Sequence, residues 1–159
     1  MKEKYPSTMA IRFLEKNNIA FEPKLYKYQE NGGTSHSSKE LNVDEHIVIK
    51  TIIMEDNNKE PFIVLMHGDK SISEKKLARI MGVKSVRPCE KNIANKYSGY
   101  LVGGTSVFGT KRQMKVYIEK SILNLEKIYI NGGKRGFLVI INPKVLVDYL
   151  DNQLVEVAY

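Results

Sequence analysis

One lysine and two glycine-rich turns carry most of the chemistry that this sequence can offer. Lys50 sits within Ile47-Val48-Ile49-Lys50-Thr51-Ile52-Ile53-Met54, where every other residue is apolar or β-branched. That is the pattern of a strand buried on both faces. With a side-chain period of two, Val48, Lys50, Ile52 and Met54 share one face and Ile47, Ile49, Thr51 and Ile53 the other. An ammonium placed there loses hydration unless it meets an anion or opens onto a cavity. Two readings fit: Lys50 is a functional cation, or the strand lies at a sheet edge and the lysine snorkels to water. In Val102-Gly103-Gly104-Thr105-Ser106, paired glycines can leave main-chain amides free for an anionic oxygen, with two hydroxyls alongside. Asn131-Gly132-Gly133-Lys134-Arg135-Gly136 is a second such turn. Taken singly, each is first of all a hairpin turn.

Other familiar sets are absent. Gly104 and Gly109 have the separation of a phosphate-binding loop, but the lysine comes one place late, at Lys111. Arg112 then replaces the expected hydroxyl, and a strand is expected next instead of a helix. His36, His46 and His67 have no metal-ligand spacing with one another or with Cys89. Cys89 follows a proline and reads as packing. The residues alone therefore point to an anion-binding pocket built from a lysine and backbone donors.

The elements that must hold these groups follow from composition and periodicity. A chain of 159 residues suits one domain, 1–159, with its own core. No apolar run exceeds five residues (Phe62–Met66, Phe137–Ile141), so no segment is expected to span a membrane. Met1-Lys2-Glu3-Lys4-Tyr5-Pro6 leads into a polar helix and not an apolar secretion signal. The single Cys89 allows no internal disulfide and fits a reducing cytoplasm. The 25 Lys+Arg against 18 Asp+Glu leave +7, which favours a polyanionic partner but also serves solubility.

A first helix is expected after Pro6-Ser7-Thr8, closing at Asn17-Asn18, then an extended Ile19–Tyr28 with Tyr26 and Tyr28 on one face. Ser37-Ser38-Lys39-Glu40 has capping-box spacing and starts a short helix ending near Asn42, with His36 on the surface. The Lys50 strand pairs with Phe62–His67 as a hairpin. Ser71-Ile72-Ser73-Glu74 is expected to cap the next helix and Gly82 to end it. Short strands at Lys84–Arg87, Met114–Ile118, Ile128–Ile130, Phe137–Ile141 and Leu154–Val157 follow, with helices at Lys91–Tyr97 and from Pro143 to Leu150. The order points to α+β with a mixed or barrel-like sheet.

Three stretches together resemble the YbaK/EbsC family of aminoacyl-tRNA deacylases, relatives of the editing domain inserted in bacterial prolyl-tRNA synthetases. They are Lys50-Thr51 in its apolar strand, Ser98-Gly99-Tyr100-Leu101-Val102-Gly103-Gly104-Thr105-Ser106-Val107-Phe108-Gly109-Thr110-Lys111-Arg112, and Gly132-Gly133-Lys134-Arg135-Gly136. Leu14-Glu15-Lys16-Asn17 and Tyr26 extend the likeness, while Val107 stands where the family usually has proline. The resemblance implies a compact mixed β-barrel with flanking helices. It implies hydrolysis of the ester joining a wrong amino acid to tRNA, most often cysteine on the proline tRNA. Specificity for another amino acid such as alanine, or a non-catalytic module binding the acceptor end, are the alternatives.

Lys50 inherits the role of the family's important lysine. The amides of Gly103, Gly104, Gly132 and Gly133 would hold the developing oxyanion or the ribose hydroxyls. Thr51, Thr105 and Ser106 would join the substrate contacts, and Tyr26 would line the entrance and stack on the terminal adenine. Lys111, Arg112, Lys134 and Arg135 would meet the acceptor-stem backbone. No metal, cofactor or protein nucleophile is called for, since the substrate's own thiol, or water, attacks the ester. The implied partners are tRNA and prolyl-tRNA synthetase, in the cytoplasm and away from membranes.

Overall fold

The computed structural model describes residues 4–159; Met1–Glu3, the first part of the expected polar lead-in, lie outside the described residues. The first helix, α1 (Met9–Lys16), begins where Thr8 Oγ1 accepts from the Ile11 N–H at 3.0 Å, and it buries Ala10, Ile11 and Leu14. After β1 (Glu22–Leu25) comes α2 (Gly33–Leu41). This helix starts four residues before the expected capping box at Ser37. Ser37 and Ser38 lie buried inside it, their hydroxyls donating to the Thr34 and Ser35 carbonyls. Such back-bonding competes with capping for the same hydroxyl. The expected end holds, with Asn42 in the left-handed region at φ 55°.

The Lys50 strand, β2 (Ile49–Asp56), is entered through a 3₁₀ turn at Glu45–Ile47, where Asp44 Oδ1 accepts from the His46 N–H. It forms the expected antiparallel hairpin with β3 (Pro61–His67), Lys50 opposite Met66 and Thr51 opposite Leu65. Then follow α3 (Glu74–Met81), capped by Ser73 and stopped by Gly82, β4 (Val86–Pro88) and α4 (Lys91–Ser98). After the irregular segment 99–115 come β5 (Val116–Glu119), a 3₁₀ segment at Lys120–Asn124, β6 (Ile128–Lys134), β7 (Phe137–Ile141), α5 (Lys144–Tyr149) and β8 (Asn152–Val155).

The fold is α+β, as expected, but no barrel closes. The strands form one sheet in the order β4-β2-β3-β5-β8 and another in the order β1-β7-β6. A closed barrel would need a continuous ladder between β2 and β6; instead a parallel bridge between Val48 and Tyr129 joins the sheets. Ile49, Ile53, Ile63 and Leu65 of the larger sheet pack on Ile128, Ile130, Phe137 and Val139 of the smaller one, with α1 covering them. On the opposite face of the larger sheet, Met54, Phe62, Val64 and Met66 pack on Leu77 and Ala78 of α3. The central strand β3 is thereby buried on both faces, and each fully buried Leu or Ile contributes about 1.5–3 kcal/mol.

Candidate active site

The sheets part beyond the Val48–Tyr129 bridge, and the outer edge of β2 lines the opening. On that side β2 meets β4 through Met54–Asp56 alone, and the Cys89 N–H donates to the Ile53 carbonyl at 3.0 Å. Antiparallel ladders point alternate residues to opposite sides, so the main-chain groups of Thr51 face the same way as those of Ile53. There they meet a cavity of about 510 Å³. Its walls are Val48 and β2 from Ile49 to Ile53, the Tyr26–Asn31 segment, α2, Val102, Gly103, Thr105, Asn131 and Arg135, with Pro88, Cys89, Lys91 and Ala94 at the far end.

Lys50 is half-buried on this wall. Its Nζ donates to the Lys70 carbonyl, and burial pulls its pKa below the usual lysine value, opposed by the carboxylates of Glu45 and Asp69. The strand is open-edged here, and the edge opens onto a cavity. Beside it, Thr51 Oγ1 is buried with no hydrogen-bond partner among the described residues, a state that costs about 1–3 kcal/mol unless something polar enters.

Across the cavity lie the aromatics. The Tyr26 phenol is pushed up by burial, and its ring lies 6.1 Å from that of His36. His36, expected on the surface, lines the cavity with Nε2 2.6 Å from the Lys27 carbonyl. Arg135 lies over Tyr28, 5.3 Å from the ring centroid, and its Nε donates to the Val102 carbonyl at 3.0 Å. Asn131 Nδ2 donates to the Gly103 carbonyl at 3.2 Å, while its Oδ1 accepts from the Gly133 N–H at 2.7 Å. Arg135 and Asn131 thus tie the two glycine turns together.

Those turns do not present the expected row of free amides. The Gly104 N–H donates to the Leu101 carbonyl at 2.8 Å and that of Gly133 to Asn131. Gly104 serves close approach instead, since a Cβ there would stand 2.6 Å from the Arg135 nitrogen. Gly132 lies in β6 against the Phe137 ring, its carbonyl accepting from Thr8 Oγ1. Of these four glycines Gly103 alone lines the cavity. Thr105 lines it too, whereas Ser106 is fully buried and its Oγ accepts from the Phe108 N–H at 3.0 Å.

Lys134 is exposed and off the cavity wall. Lys111 and Arg112 lie beside α4: the Lys111 N–H donates to the Ser98 carbonyl, and Arg112 stacks on Tyr97 and pairs with Glu60 at 2.9 Å. Cys89 borders the cavity, its thiol pushed up to about 12 by burial and then by Glu55, so it stays protonated. Among the described residues no group of three His, Cys, Asp or Glu is placed to hold a metal ion. Tyr28, His36 and Asn131 were not singled out by the sequence. Tyr28 had a signal in sharing a face with Tyr26, and Asn131 in heading a glycine pair, but His36 had none. A cation, an orphan hydroxyl and an open strand edge facing an aromatic wall suit a ligand with a planar ring at one end and a carbonyl or anionic oxygen at the other.

Residues 32–149 match the family described as the aminoacyl-tRNA editing domain. Over 158 residues the chain is 24% identical to an Enterococcus faecalis protein provisionally named Cys-tRNA(Pro)/Cys-tRNA(Cys) deacylase EbsC, covering 99% of this chain and 96% of that one. It is 27% identical to the proline–tRNA ligase of Aquifex aeolicus over 122 residues, 76% of this chain and 21% of the ligase. A crystal structure of a protein provisionally described as a trans-editing enzyme for prolyl-tRNA synthetase superposes with a TM-score of 0.81 at 16% identity. That match covers 98% of this chain and 99% of the other.

Proposed function

The chain belongs to the aminoacyl-tRNA editing domain family, and we propose that it acts in trans to hydrolyse the ester of mischarged tRNA, with cysteine on the proline tRNA as its substrate. The observation that carries this reading is Lys50 beside the Thr51 hydroxyl, which has no partner among the described residues, on an open strand edge within a cavity. A volume of about 510 Å³ lies in the range of sites for small ligands and suits an aminoacylated terminal adenosine. Tyr26, Tyr28 and Arg135 receive the base, since unpaired bases stack on aromatic rings and guanidinium planes.

Lys50 and the Thr51 hydroxyl and N–H then face the ester, where a fixed cation and dipoles favour the charge that develops on the carbonyl oxygen. The Cys89 thiol, held protonated, is not the nucleophile. The substrate's own thiol, or water, attacks the ester carbon, and the terminal ribose hydroxyl leaves. The whole chain, 1–159, is taken as one editing unit working in the cytoplasm on tRNA, with prolyl-tRNA synthetase as docking partner. Among the described residues no helix is long and apolar enough to cross a membrane.

The test is a deacylation panel on tRNA(Pro) charged separately with cysteine, alanine, serine and proline. Release of cysteine ahead of the other three is expected. Preferential release of alanine moves the specificity, and no release of any of the four overturns the enzymatic reading.

A further inference from the structure

We propose that His46 is a positioning residue for Lys50, acting through Asp69 and the Lys70 carbonyl; this rests on Lys50 being the cation that serves ester cleavage. Lys50 Nζ donates to the Lys70 carbonyl, so its direction is set by the turn His67–Lys70, closed by the Lys70 N–H on the His67 carbonyl at 3.1 Å. That turn is pinned to the segment just ahead of β2. Asp69 Oδ1 lies 2.8 Å from His46 Nδ1. The His46 ring lies flat on that of His67, centroids 3.8 Å apart and planes 5° from parallel. His67 is 1% exposed, with its Nδ1 2.8 Å from the His46 carbonyl and its Nε2 2.7 Å from Ser121 Oγ. Between them Gly68 packs so closely that a Cβ would stand 2.6 Å from both the Glu45 and Val48 carbonyls.

None of His46, His67 and Asp69 lines the cavity, yet together they fix the acceptor that orients the ammonium. A cation stabilises charge only where it is held, and a displacement of about 1 Å costs up to roughly a hundredfold in rate. Cutting the His46–Asp69 link frees the turn, and Lys50 swings toward water. The charges facing it are the carboxylates of Glu45 and Asp69, and replacing His46 removes neither.

The experiment uses His46→Phe, which keeps a ring on His67 but cannot bind Asp69. Single-turnover hydrolysis of Cys-tRNA(Pro) and the tRNA Kd are measured in the wild-type and Lys50→Met backgrounds. In parallel, ¹³C-dimethylated lysines are titrated by NMR, with Lys50 assigned by its loss in Lys50→Arg. Expected are a rate lowered about tenfold to a hundredfold at unchanged Kd, no further loss in the Lys50→Met background, and a Lys50 titration moved up toward the ordinary lysine value. A wild-type rate in His46→Phe, or a loss that simply adds to that of Lys50→Met, overturns the proposal. If the wild-type protein cleaves no ester, the functional reading has failed, and the NMR titration decides positioning alone: a Lys50 signal that does not move overturns it. Should His46→Phe not fold, Asp69→Ala cuts the same link from the solvent side, and the same rate criteria in the two backgrounds decide.

Discussion

Arg135 lies over the ring of Tyr28 while its Nε bonds to the Val102 carbonyl, so one guanidinium joins three separate stretches of chain at the cavity wall. A planar, delocalised group does both at once, whereas a lysine ammonium would lose the stacking geometry. Arg135→Lys is expected to weaken binding of the acceptor end by about 1 kcal/mol, roughly fivefold in Kd. Fluorescence anisotropy with a labelled acceptor-stem RNA checks this, and unchanged affinity would take Arg135 out of the binding wall.

Lys50→Met is expected to slow single-turnover deacylation about a hundredfold or more, with the melting temperature held or raised at neutral pH. The sign follows from linkage. Burial lowers the folded pKa below the ordinary 10.5, so the unfolded chain binds more protons between the two values and wild-type stability rises with pH there. The advantage of Met over Lys is therefore full below the folded pKa and vanishes above about 10.5. Denaturant melts at pH 7 and pH 11 measure it; an advantage that grows with pH would contradict the assignment.

Gly104→Ala places a methyl 2.6 Å from the Arg135 nitrogen and 2.8 Å from the Lys134 carbonyl carbon, both main-chain atoms that cannot rotate away. The two glycine turns must then separate, at a cost of about 1–3 kcal/mol. Urea unfolding at constant m-value gives the loss directly, and a neutral substitution would mean that the turns are not locked together.

Cys89→Ala is expected to leave turnover near the wild-type level, because a thiol held up to about 12 is protonated at any working pH. Alkylation by iodoacetamide should stay slow at pH 8 for the same reason. A large drop in rate for a variant that keeps its melting temperature would bring the enzyme thiol back into the mechanism.

Acceptor-stem affinity should fall as salt rises, each phosphate contact contributing a slope of roughly −0.7 to −0.9 in log K against log salt. Lys134 is exposed next in sequence to Arg135 of the cavity wall, whereas Arg112 is already engaged by Glu60 and Tyr97. Lys134→Ala should therefore flatten the slope more than Arg112→Ala. Equal slopes for the two variants would place the RNA backbone over both.

That Lys50 would meet an open edge or a cavity was legible in the sequence, because an ammonium within an apolar strand must find one or the other. The β2–β3 hairpin was legible because two apolar runs flank a polar loop. The extent of α2 was not. Gly33-Thr34-Ser35-His36-Ser37-Ser38 has the composition of a turn, and its helix is held by contacts distant in sequence, such as Thr34 to Glu45 and Gly68. Nor was the use of the glycine amides. Whether the Gly104 and Gly133 N–H groups are free depends on where Leu101 and Asn131 fold back, and glycine content alone is silent on that. The Tyr28–Arg135 stack unites residues 107 positions apart, (135 − 28), beyond the reach of any local pattern.

The open edge of β2 also bears on how the protein behaves when concentrated. A bare strand edge is a template on which a neighbouring molecule can add its own strand, the usual first step toward aggregation. Here the unpaired stretch around Thr51 is sunk in a concave wall, with α2 and the Tyr26–Asn31 segment across from it and the Lys50 charge beside it. A lone extended group can reach that edge, while the flank of another sheet is too broad to enter. The same recess that admits a ligand shields the strand from its own kind.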